Sequence, residues 1–116
     1  MSKMGATNFG MYTVGKYKSA REAYNELCEE ATYEYGHDPY SGTIATTNGF
    51  FVVENHPRYD TKKFYVWEDN YIDELEKREC ACVEITGATL KRMKDNSHYK
   101  GKKGVKAFYF FGWAAE

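Results

Sequence analysis

The chain has 116 residues, enough for one ordinary domain and too few for two. Hydrophobic residues make up 42% and charged residues 28%, with a formal net charge of -1, which fits a packed core and argues against a general nucleic-acid coat. Cys28, Cys80 and Cys82 form an odd set without framework spacing, Met1 to Lys18 has no apolar leader core, and no run of about 18 apolar residues occurs; a soluble, cytoplasmic protein without a membrane partner is expected.

Aromatic residues reach 17%, eleven of them tyrosines. Tyrosine joins an apolar ring to a wet hydroxyl, so this excess suits half-buried strand faces and contact surfaces. A domain of this size buries only about two-thirds of its extended-chain surface, which makes a homo-oligomer one route to added stability.

In chain order, Phe9-Gly-Met-Tyr-Thr-Val-Gly15 is aromatic, β-branched and broken by glycines, as a first strand would be. Ser19-Ala-Arg-Glu22 is a capping box that starts a helix at about Ala20. Ala20, Ala23, Tyr24, Leu27, Cys28, Ala31 and Tyr35 make its apolar stripe, and Gly36 is placed as a left-handed C-terminal cap. Gly42 to Thr47 and Phe50 to Glu54 flank Asn48-Gly49, which predicts an antiparallel hairpin. Phe64-Tyr-Val-Trp67 favours a strand, whereas Trp67, Tyr71, Ile72 and Leu75 fit a helix, expected from about Glu68 to Glu79.

Cys80 to Thr86 alternates as a strand does, and Val105 to Trp113 is the most strand-like run, expected beside it and central in the sheet. Between them Gly87 to Gly104 reads as a long polar loop or a short strand. The expected fold is a single α+β domain over residues 1–116, ordered β-α-β-β-α-β-β, with a mostly antiparallel sheet and two helices on one face.

Glu22, Glu26, Glu30 and Glu34 recur every four residues on the first helix. Like charges at this spacing repel by a few tenths of a kcal/mol per pair, so the stripe calls for compensation by a basic partner or by the chain's own lysines. Lys91, Arg92, Lys94, Lys100, Lys102, Lys103 and Lys106 are the internal candidates, opposed in their segment only by Asp95; with His98 and Tyr99 they could also form a phosphate-binding loop. Gly101-Lys-Lys-Gly104 imitates a backbone-clamping GxxG, but it leads into a strand instead of joining two helices.

The loop Gly36 to Ile44 concentrates His37, Asp38, Tyr40, Ser41 and Thr43, as binding loops do, although the same residues are ordinary turn formers. Cys80 and Cys82 would face one side of a strand, where His56 or His98 would have to complete a metal site; core thiols are the expected reading, with no metal or cofactor. Cys28 lies on the apolar helix stripe, away from the geometry needed to pair with His37 as a nucleophile. No catalytic set emerges, and an enzyme would need a polar pocket built around His37, Asp38 or Glu34.

Gly5-Ala6, Ser19-Ala-Arg-Glu-Ala-Tyr24, Glu34-Tyr-Gly-His37, Tyr40-Ser-Gly-Thr-Ile44 and Phe110-Phe-Gly-Trp-Ala114 together resemble a family of small phage and prophage proteins, most of them without an assigned function. The likeness covers about the first 45 residues and the last few. It implies a context in which small proteins bind and block a host protein or capture a signalling nucleotide. The expectation is therefore a non-catalytic accessory protein, an inhibitor or counter-defence factor, that engages a host protein through Glu22, Glu26, Glu30 and Glu34. The alternative is a nucleotide held by His37, Asp38, Tyr40, Ser41 and Thr43 together with Lys102 and Lys103, which then must converge, either in one chain or across a homo-oligomer interface.

Overall fold

In a computed structural model, which describes residues 4–116, the elements follow in the order β1 (Ala6–Gly15), α1 (Ala20–Tyr35), a 3-10 turn (Ile44–Thr46), β2 (Phe51–Val52), α2 (Lys62–Ile72), β3 (Cys80–Ile85), α3 (Gly87–Asp95) and β4 (Lys106–Ala115). The first three residues of the segment read as leaderless lie outside the described ones. Among the described residues no helix is long and apolar enough to cross a membrane.

The sheet has the order β1-β4-β3-β2. β4 runs antiparallel to β1 from Ala6↔Ala115 to Gly15↔Lys106, and antiparallel to β3 from Cys80↔Gly112 to Ile85↔Ala107. β2 pairs parallel with β3, through Phe51↔Ala81 and Val52↔Cys82, so the sheet is mixed. The aromatic strand is central, as its two-sided apolar sequence requires.

That two-sidedness also decides where the helices go. Phe108 and Phe110 point to one face, where Ala23, Tyr24, Leu27 and Ala31 of α1 close over them with Cys80 and Cys82. Tyr109, Phe111 and Trp113 point to the other, where Phe64 and Ile72 of α2 cover them and Leu90 and Met93 of α3 pack at the margin. The expected placement of both helices on one face is therefore wrong, because it would leave one row of β4 aromatics in water. Gly112 lets the chains meet at the end of the sheet: a Cβ there would fall on the Glu79 carbonyl.

Three local expectations also change. Asn48-Gly49 is not a hairpin turn. A type I′ turn needs positive φ at both residues, and among the described residues only Asp60 and Arg78 have it besides glycine; the Asn48 N–H instead donates to the Arg78 carbonyl at 2.9 Å. The segment before it winds into the 3-10 turn, burying Ile44, while the buried Thr46 hydroxyl accepts from the Ala115 N–H at 2.8 Å.

The second helix starts six residues before the expected Glu68, at Lys62, because Thr61 caps it by accepting from the Phe64 N–H at 3.2 Å. Gly87 to Gly104, read as loop or strand, contains α3, with Arg92 and Lys94 in the last turn where the helix dipole favours cations.

α1 begins as expected, its Ser19 hydroxyl accepting from the Glu22 N–H at 3.4 Å. Gly36 ends it with φ 81° and ψ -174°, a mirror-extended conformation suited to glycine, in place of the left-handed helical one. Tyr35, placed on the apolar stripe from its spacing, is 58% exposed at this end.

Candidate functional site

Glu22, Glu26, Glu30 and Glu34 are all exposed on the outer face of α1. Buried Ala23, Leu27 and Ala31 alternate with them at helical spacing, so seating the small alanines on the sheet turns the glutamates outward. Glu26 accepts a short hydrogen bond from the Tyr17 hydroxyl, which is 2.6 Å from the Thr13 hydroxyl. Burial, followed by the Glu26 contact, pushes the Tyr17 phenol up to about 12, so it remains a donor. Glu22, Glu26 and Glu29 line a cleft of about 420 Å³ together with Lys16, Tyr17 and Tyr99.

Lys16 shares the cleft, but among the described residues no ion pair closes on this face. Among the described residues the ion pairs are Lys91–Asp95 at 4.0 Å and Arg92–Asp60 at 2.7 Å, and neither involves α1. Tyr99 brings the lysine-rich segment to the rim of the cleft, but Lys102 and Lys103 remain exposed in the turn before β4. Tyr33, 94% exposed, adds an apolar surface on the same helix.

The loop after α1 is occupied largely by its own bonds. Asp38 accepts from the Tyr40 N–H at 2.9 Å, the Ser41 and Thr43 hydroxyls lie 2.9 Å apart, and the Gly42 N–H donates to the Ala115 carbonyl at 2.7 Å. Arg78 ties the loop down, donating to the carbonyls of Thr46 at 3.0 Å and Pro39 at 3.3 Å while its guanidinium lies 5.4 Å from the centre of the Tyr40 ring. Nothing in the surrounding sequence singled this arginine out; its φ of 72° is a property of the folded chain. His37 and Asp38 share with Arg78 a hollow of about 340 Å³.

Within a single chain this loop does not converge with Lys102 and Lys103. Gly42 is bonded to Ala115 at one end of β4, whereas the two lysines precede Lys106 at the other. Nine strand steps at about 3.3 Å separate the ends, roughly 30 Å. Within one chain, His37, Asp38, Tyr40, Ser41 and Thr43 thus lie at the opposite end of β4 from Lys102 and Lys103.

The thiols are equally dispersed from the histidines. Cys80 and Cys82 are buried under α1, while His56 packs against Phe64 and Trp67 on the opposite face and His98 lies against Tyr99. Burial pushes both thiols up, Cys82 to about 12, which keeps them protonated. Cys28 is half-buried, and its thiol reaches toward the Ile44 carbonyl at 3.8 Å, not His37.

A third place was not expected, because its residues come from four separate segments. Tyr12 of β1, Tyr59, Tyr65 of α2, and Arg92, Asn96 and Ser97 at the end of α3 line a pocket of about 330 Å³. The tyrosine excess was the one available signal. In comparisons with protein-family models, curated proteins and solved structures, no match to this chain was found.

Proposed function

We propose that this chain is a non-catalytic, phage-type accessory protein of the cytoplasm that binds a basic surface of a host protein through the outer face of α1. The observation that carries the reading is the unanswered acidic stripe. Glu22, Glu26, Glu30 and Glu34 are exposed, and among the described residues no ion pair joins them to the chain's lysines. Such a face attracts a cationic partner and speeds its approach. Exposed Tyr33 supplies the kind of aromatic anchor that interfaces favour.

The test is affinity capture from host lysate with the whole protein, run beside a variant carrying Glu22→Gln, Glu26→Gln, Glu30→Gln and Glu34→Gln. A stoichiometric basic protein retained at low salt by the native chain and lost from the variant is expected. Capture of no stoichiometric partner, or equal capture by both chains, would sink the reading.

A further inference from the structure

The pocket lined by Tyr12, Tyr59 and Tyr65 lies on the α2 and α3 side of the sheet, away from the acidic face of α1. Its volume of about 330 Å³ is at the lower end of small-molecule sites, which run from about 300 to 1,000 Å³. Tyr59 is buried, with its ring 4.9 Å from that of Tyr109, and so forms a fixed inner wall. Tyr12 and Tyr65 are 60% and 42% exposed and offer open aromatic surface at the mouth.

Asp60 organises the polar side. Its φ is 63°, uncommon for a residue with a side chain, and its carboxylate accepts from the Tyr65 hydroxyl at 2.9 Å and from Arg92 Nη2 at 2.7 Å. One carboxylate thereby holds an aromatic wall and a guanidinium in fixed relation. Arg92 has five N–H donors, so others remain for a ligand, and the Asn96 amide offers both a donor and an acceptor. Burial raises the Tyr59 phenol, which keeps it a donor too.

Stackable rings, an amide that can pair with a heterocycle edge, and donors suited to ring oxygens and nitrogens match the chemistry of a nucleobase. The cation of the lining is Arg92, whose N–H donors beyond the one held by Asp60 face a ligand. A phosphate attached to the base would find its countercharge there. We infer that this pocket binds a mononucleotide, with the base against Tyr12 and Tyr65 and the phosphate toward Arg92. The inference goes beyond the protein-binding reading and does not depend on it.

Calorimetric titration of the whole protein with adenosine, guanosine, cytidine and uridine 5′-monophosphates tests this, with the four nucleosides, ribose 5-phosphate and a short single-stranded oligonucleotide as comparisons. At least one mononucleotide should bind, more tightly than its nucleoside and than ribose 5-phosphate. Tyr12→Ala and, separately, Asn96→Ala, both at exposed positions, should weaken it about tenfold or more while leaving the urea midpoint unchanged. The inference is overturned if no mononucleotide binds at millimolar concentration, if ribose 5-phosphate binds as well as the mononucleotides, or if only the oligonucleotide binds. Full affinity retained in both folded variants would overturn it too.

Discussion

At Gly10 the absence of one carbon is structural. A Cβ on this β1 residue would fall on the Tyr109 hydroxyl, which donates to Glu68 at 2.5 Å across the α2 face. Gly10→Ala should therefore cost about 1–3 kcal/mol in urea denaturation, the range for overpacking a fitted site; a change within a few tenths would mean that the pair shifts freely. Buried acids make a second residue-scale prediction. Burial pushes Tyr17 and Tyr24 from 10.0 and Cys82 from 9.0 to about 12. A group whose pKa is raised on folding gives full stability below its unfolded value, and that stability is lost as pH climbs to the folded one. Stability should thus be flat toward about pH 9 and fall between about pH 9 and 12, with the thiol contributing first. An unfolding midpoint unchanged across that window would contradict the burial of these groups.

Among the elements, α2 depends on the cap residue that precedes it. Thr61→Ala removes the acceptor for the Phe64 N–H and should cost about 1 kcal/mol, measured by thermal or urea unfolding, whereas no loss would place the helix start elsewhere. α1, β3 and β4 were legible in the sequence because cap, period and apolar content agree there: Ser19 to Glu22 starts a helix, and Phe108 to Phe111 can only be a strand buried on both faces. The helix cap at Thr61 was masked by the strand-like Phe64-Tyr-Val-Trp67, in which Phe64 packs instead from a helical face against Tyr109 and Trp67 against Phe111. α3 gave little pattern, since Thr89 is its one buried residue and is satisfied by Arg58 Nε at 2.8 Å, a partner 31 positions away. Asn48-Gly49 misled for a similar reason: the Arg78 carbonyl that binds Asn48 comes from a distant segment. Of the candidate site residues, the glutamate stripe was readable because it is local to one helix. The tyrosine pocket was not, because tertiary packing assembles it.

For the whole molecule, the two-sided β4 separates two surfaces, with the acidic α1 on one side of the sheet and the tyrosine pocket on the other. Sites this far apart with no shared side chain should respond independently, so substitutions on α1 should leave titrations of the pocket unchanged. The acidic stripe also has a cost within the chain. Glu30 repels Glu26 and Glu34, and Glu34 stands near the C-terminal end of α1, where the helix dipole disfavours an anion and the last turn has no basic residue. In the proposed function, a partner's positive charge offsets that cost on binding. The most direct measurement is urea denaturation of the Glu30→Gln, Glu34→Gln variant at low salt, paired with its capture of the basic partner. The variant should be more stable by about 0.5–1 kcal/mol and bind more weakly; a loss of stability would show that the chain's own cations already answer the stripe, and would contradict the account.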